Sequence, residues 1–80
     1  MKRSKVYEAI SSERQYQDVI WDEETDKNHS VADWLLFIEQ HLNKAKLRVY
    51  QIKEDEALNE IRKIAGLCVA CGETKGLKNR

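Results

Sequence analysis

Proline is absent from the 80-residue chain, and its three glycines, Gly66, Gly72 and Gly76, all lie in the last fifteen positions. Residues 1–65 therefore contain neither of the two residue types that most strongly interrupt regular backbone. A stretch that long without punctuation favours long helices over strands joined by tight turns. The expected class is all-α: a short N-terminal helix followed by a long antiparallel helical hairpin, oligomerising into a helical bundle. A chain of this size forms one domain, and it hides only ~60% of the surface its unfolded chain exposes, so association with further copies helps it to stay folded.

Apolar spacing divides the chain into three expected helices, at about residues 4–18, 30–53 and 55–71. The first carries Val6, Ala9, Ile10, Tyr16 and Ile20 at helical spacing, broken at Glu13. Residues 21–29 hold Asp22, Glu23, Glu24 and Asp26 without periodicity and read as a polar loop anchored by Trp21. Ser30 and Asp33 form a capping-box pattern that starts the second helix. From there Val31, Leu35, Ile38, Leu42, Ala45, Val49 and Ile52 recur at alternating spacings of four and three, a heptad seam. Trp34 and Phe37 widen that surface. Asp55 is the expected cap of the third helix, whose Ala57, Ile61, Ile64, Cys68 and Cys71 continue the rhythm; Gly72 is placed to end it, leaving a basic tail at 73–80. The expected oligomer seam is Val31, Leu35, Ile38, Leu42, Val49, Ile61 and Ile64.

Fourteen Lys and Arg balance fourteen Asp and Glu, so the chain lacks the positive field of a nucleic-acid binder, and no nucleic acid is expected as a partner. Apolar runs such as Trp34–Ile38 fall far short of the ~20 residues of a membrane span. The basic start Met1–Lys5 has no apolar core behind it, so no signal peptide and a cytoplasmic location are expected.

Cys68-Val-Ala-Cys71 has the spacing of redox dithiols and of half a zinc site. It falls on an apolar helix face, where cysteine acts as a small hydrophobe. His29 and His41 lie elsewhere without matching spacing, so core packing is the expectation and no metal is expected there. Glu13 breaks an apolar stripe, and a carboxylate facing a core must be paired or hold a cation. Two readings follow: Glu13 with Arg14, Gln15, Tyr16, Gln17, Asp18 and Trp21 lines a nucleotide-sized pocket, or it pairs with a Lys or Arg of a neighbouring element. Glu39 and Glu60 flank the seams of the second and third helices. No arrangement for nucleophilic catalysis and no Gly-rich phosphate loop is present.

The order Glu13-Arg14-x-x-Gln17-Asp18-x-x-Trp21, then an apolar helix with Glu39, then Glu60-x-x-x-Ile64-Ala65, resembles small phage and prophage proteins related to MazG-type nucleoside triphosphate pyrophosphohydrolases. The resemblance spans roughly residues 6–72. It implies an all-helical fold, assembly as dimers or tetramers, and magnesium held by a Glu-x-x-Glu pair on one helix and a Glu-x-x-Asp pair on the next. Here Glu39 is followed by Leu42 and Asn43, and Glu60 by Lys63 where the pattern has an aspartate. Magnesium needs hard anionic oxygens, which an ammonium opposes; the pattern is that of a lapsed metal site. The resulting expectation is a non-catalytic accessory protein that binds a host protein or a nucleotide as a homo-oligomer. Its ligand-binding candidates are Glu13, Tyr16, Gln17, Trp21, Glu39, Glu60 and Lys63, with no cofactor. The alternative is a magnesium-dependent pyrophosphohydrolase with Glu13, Glu39 and Glu60 as ligands. A third reading is an adaptor whose acidic segment Asp22–Asp26 mimics a polyanion.

Overall fold

A computed structural model of the chain describes residues 1–80 and contains four helices and no strand: α1 (Arg3–Ile20), α2 (Glu23–Lys27), α3 (Val31–Tyr50) and α4 (Glu54–Lys75). No helix is long and apolar enough to cross a membrane.

The start of α3 follows from its sequence. Ser30 Oγ accepts from the Asp33 amide at 3.1 Å, and the Asp33 carboxylate accepts from the Ser30 amide at 2.8 Å, a complete capping box. Hydrogen bonds from Ser30 hold the Asp33 carboxyl below its ordinary range. The segment 21–29, expected to be a loop, contains α2 instead. Asp22 caps it by accepting from the Glu24 amide at 3.0 Å, Glu23, Glu24 and Asp26 fill its first turn, and Lys27 ends it. This charge order complements the helix dipole, which is what a segment without apolar periodicity has to hold a short helix together.

The turn before α4 comes earlier in the chain than expected. Residues 51–53 reverse the chain, with Ile52 at φ 60°, a left-handed conformation unusual for a β-branched side chain, and the Lys53 amide bonded to the Arg48 carbonyl at 2.8 Å. The helix then begins at Glu54, preceded by Lys53 with no side-chain cap, so Asp55 lies within its acidic first turn and is not the cap. Nor does α4 stop at Gly72. It runs on to Lys75 and ends at Gly76, whose φ of 86° suits glycine. Gly72 serves close packing: a Cβ there would lie 2.8 Å from Leu77 Cγ, so the chain after the helix folds back over it. The tail therefore starts after Gly76, not at residue 73.

Helix α4 lies at the centre, with α3 on one side and α1 on another. Arg48 pairs with Glu56, His41 with Glu60, and Trp34 clusters with Leu67, which shows α3 and α4 running antiparallel. Trp34, Leu67 and Ala70 form the core cluster, flanked by Phe37, Ile38 and Cys71. Ala45 and Ala57, both buried, let the helices approach near the turn.

The packed rows coincide with the expected heptad seams only at alternate positions. On α3 the half-buried or buried row is Trp34, Ile38, His41, Ala45 and Arg48; on α4 it is Ala57, Glu60, Ile64, Leu67 and Cys71. Ile38 and Ala45 of the expected α3 seam and Ala57, Ile64 and Cys71 of the expected α4 seam are in these rows, and the alternate positions are taken by the residue before them, Trp34 for Leu35, His41 for Leu42, Arg48 for Val49, Glu60 for Ile61 and Leu67 for Cys68. Of the heptad residues Ala45 and Ala57 are buried and Ile38, Ile64 and Cys71 half-buried, while Val31, Leu35, Leu42, Val49 and Ile61 are exposed, as are Ile52 and Cys68. The physical reason is Trp34: a large ring gains most from full burial and is 1% exposed, which fixes the register of α3 around it.

Candidate functional site

Helix α1 meets α4 through polar groups. Its only buried residues are Glu13 and Gln17. Glu13 Oε1 accepts from Arg62 Nε at 2.8 Å and its Oε2 from Gln17 Nε2 at 3.2 Å, while the same Gln17 amide reaches the Lys63 carbonyl at 3.3 Å. Gln17 Oε1 is buried without a donor. Gly66 makes the approach possible, because a Cβ at that position would stand 2.6 Å from Gln17 Nε2. Of the two sequence readings of Glu13, the geometry matches pairing with a basic residue of a neighbouring helix.

Glu60 lies in the seam between α3 and α4, not beside it. It is 8% exposed and accepts from His41 Nδ1 at 2.6 Å and from Lys63 Nζ at 3.3 Å. A carboxylate only accepts, so His41 carries its proton on Nδ1. Burial is the largest single influence on the Glu60 carboxyl and pushes it up, but the hydrogen bonds from His41 and Lys63 outweigh it and hold the group below its ordinary value.

The remaining candidates scatter. Tyr16 is exposed and shares a shallow groove with Glu13, Arg62 and Lys63. Glu39 is exposed on α3. Trp21 stands at the end of α1, where it lines a cavity of about 450 Å³ with His29, Trp34, Phe37, His41 and Leu67. The His29 ring meets Trp34 and Phe37 edge-on at centroid distances of 5.4 and 4.9 Å. Glu13, Glu39 and Glu60 do not converge within one chain, and no group of three or more His, Cys, Asp or Glu is placed to hold a metal ion.

A second cavity, of about 520 Å³, adjoins the first and shares Trp21 and Asp26 with it. Arg14 lies on its floor with Asp18 at 2.8 Å and Glu73 at 2.9 Å. Asp26 is 7% exposed; its one ion contact, to Arg14 Nη2, is 3.8 Å long, and no donor hydrogen-bonds its carboxylate. Burial pushes its carboxyl above the ordinary range against the pull of Arg14 and His29. Sequence reasoning does not single out Asp26 or Arg62, because each sits in a charged run. A signal was present for His41 and Glu60, whose spacing places them in the same rows as Trp34, Ala45, Ala57 and Leu67.

The third feature is a face. The row one residue past the packed row of α3 holds Leu35, Glu39, Leu42, Lys46 and Val49, with Val31 at its start; the corresponding row of α4 is Leu58, Ile61, Ala65 and Cys68. Both are displaced in the same rotational sense, and since the axes are antiparallel the two rows emerge on the same side of the helix pair. Nothing in the chain covers them: Leu35 is 59% and Ile61 53% exposed. Cys68 belongs to this face and not to the core, while Cys71 packs against the core cluster; partial burial still raises the Cys68 thiol.

Compared with family models, curated proteins and solved structures, the chain finds no match, so the site is read from its geometry alone.

Proposed function

We propose that the chain is a non-catalytic accessory protein of the small phage type, on a MazG-like helical scaffold, that works as a homo-oligomer and binds a protein partner. The observation that carries this reading is the uncovered apolar face of α3 and α4. Its α3 row runs about 27 Å at the helical rise, and with the α4 row about 10 Å away the face covers a few hundred Å². Apolar patches of that size on a folded chain often serve as contact surfaces.

The face fits a second copy of itself. Pairing α3 antiparallel with its symmetry mate about an axis near Leu42 sets Leu35 opposite Val49 and Glu39 opposite Lys46, each twice. Apolar residues then meet apolar ones, and the two charges that interrupt the row meet opposite charges.

The absence of turnover is supported by what Glu13 and Glu60 already hold. Arg62, Lys63 and His41 occupy the carboxylate oxygens that the pyrophosphohydrolase reading assigns to magnesium. Acidic side chains Asp18, Glu23, Asp26 and Glu73 around the second cavity oppose a triphosphate, which favours a protein over a nucleotide.

Native mass spectrometry of the protein with magnesium and mixed nucleoside triphosphates tests the reading. An oligomer that yields no monophosphate is expected; monophosphate production that stops with chelator overturns it in favour of the hydrolase.

A further inference from the structure

We propose that the aromatic cavity beside α2 binds a small uncharged molecule, a planar ring that carries a carbonyl oxygen, and that this oxygen accepts from the indole N–H of Trp34. The site goes beyond the binding of a protein partner and does not depend on it.

Trp34 is the reason to look here. Its side chain is 1% exposed, and its Nε1, which can only donate, is buried with no acceptor in the chain. A buried indole N–H ordinarily has a partner, because an unbonded donor forfeits its hydration without return. Trp34 lines the cavity of about 450 Å³ together with Trp21, His29 and Phe37. That volume lies in the range of small-molecule sites, and so does the make-up, apolar walls with a few polar groups such as Thr25 and Gln40. Since the N–H is itself buried, an acceptor that reaches it leaves water behind. An oxygen carried on an apolar body does so at less cost than a hydrated ion. The other buried donor nearby without a hydrogen bond, Arg14 Nη1, lies at the adjoining cavity with the Asp18 carboxylate 2.8 Å away, so its charge is already met.

The walls select among acceptors. His29 stands edge-on to Trp34 and to Phe37, and Trp34 edge-on to Phe37 with ring centroids 6.0 Å apart, so flat rings already shape the wall and a further ring extends their packing. Asp22 and Asp26 line the cavity and no Lys or Arg does. A carboxylate or phosphate oxygen would accept from the indole but is repelled by those two acids. A cation is drawn by them, yet it brings donors to a place where the indole needs an acceptor. A plain hydrocarbon ring fills the space and leaves the N–H unbonded. A neutral carbonyl on a ring meets all three conditions.

The test is a titration of ¹⁵N-labelled full-length protein, followed at its two indole N–H signals, which Trp21→Phe assigns by removing one. The probes are benzamide, benzoate, benzylamine and toluene, which share one ring and differ in the group it carries. Benzamide should give saturable shifts, move the Trp34 indole proton downfield as it gains an acceptor, and show nuclear Overhauser contacts between its ring protons and that proton. Toluene should bind at least about tenfold more weakly, the difference made by satisfying one buried donor. Benzoate and benzylamine should also bind more weakly than benzamide. Trp34→Phe keeps a ring and removes the N–H, so it should bind benzamide no better than toluene; because Trp34 is a core residue, the probe series on the parent protein decides the matter if this variant does not fold. Equal binding of benzamide and toluene means an apolar cavity only and overturns the site. So does tighter binding of benzoate or benzylamine, or a Trp34 indole proton that shows contacts to water and does not move with benzamide.

Discussion

At the scale of single residues, two buried carboxylates behave in opposite ways because one is hydrogen-bonded and the other is not. Glu60 accepts from His41 and Lys63, and its carboxyl is held below the ordinary 4.5. A depressed carboxyl contributes stability above its unfolded value and loses it as pH falls through the folded one. Glu60→Gln should therefore cost about 1–3 kcal/mol at neutral pH, since it removes the charge from a bonded, buried acceptor. In urea denaturation that gap should close below pH 4.5. Asp26 has the reverse sign. Its carboxyl is raised from 3.8, chiefly by burial, so its ionisation erodes stability as pH rises from 3.8 through the folded value. Asp26→Asn should melt at the same temperature as the parent at pH 7, or higher, and a lower melting temperature would contradict this account. Neither outcome was legible in the sequence, where Asp26 was one acid in a run of four and Glu60 a flanking charge. The difference between them is set by donors from other elements, Lys63 apart.

Among the elements, α1 and α4 are joined by a polar key. Gly66→Ala ordinarily favours a helix by roughly 1 kcal/mol, because alanine has the higher propensity. Here the new Cβ would stand 2.6 Å from Gln17 Nε2, and Gln17 is 1% exposed and bonded to both Glu13 and the Lys63 carbonyl. The expected result is net destabilisation of about 1–3 kcal/mol by overpacking, relieved when Gln17→Ala is combined with it. A double-mutant cycle in urea measures the coupling; additive effects would show that the two residues do not compete for space. The capping box of Ser30 and Asp33 was readable because it is local, both partners lying within one turn. Helix α2 left a readable signal too, in the acid-to-base order from Asp22 to Lys27, but periodicity is blind to a helix of five residues. The end of α4 is not at Gly72, where spacing places it, because glycine serves there as space for Leu77, a contact no spacing rule reveals.

For the whole molecule, the apolar pattern was legible and its use was not. The sequence carries two adjacent stripes on each long helix, and heptad spacing singles out the one through Leu35, Leu42, Val49 and Ile61. Inside the chain the other stripe wins, since Trp34 and Leu67 are large and fit against one another, while His41 and Glu60 on that stripe satisfy each other. The spacing divides between two surfaces: Ile38, Ala45, Ala57, Ile64 and Cys71 pack inside the chain, while Leu35, Leu42, Val49 and Ile61 lie on a surface that the single chain leaves open. Replacing Leu42 and Ile61 by glutamate removes apolar contact from that surface without touching the packed rows, so the helical content should survive while association is lost. Both positions are exposed, which is why the substitutions spare the monomer's own core. The most direct measurement is light scattering behind size-exclusion chromatography over a concentration series, comparing the parent with Leu42→Glu/Ile61→Glu. The parent should elute at a multiple of its 9.4 kDa chain mass and the double variant at the chain mass with its helical circular dichroism intact. A parent that stays at the mass of one chain across the series, or a double variant that associates as the parent does, contradicts the account.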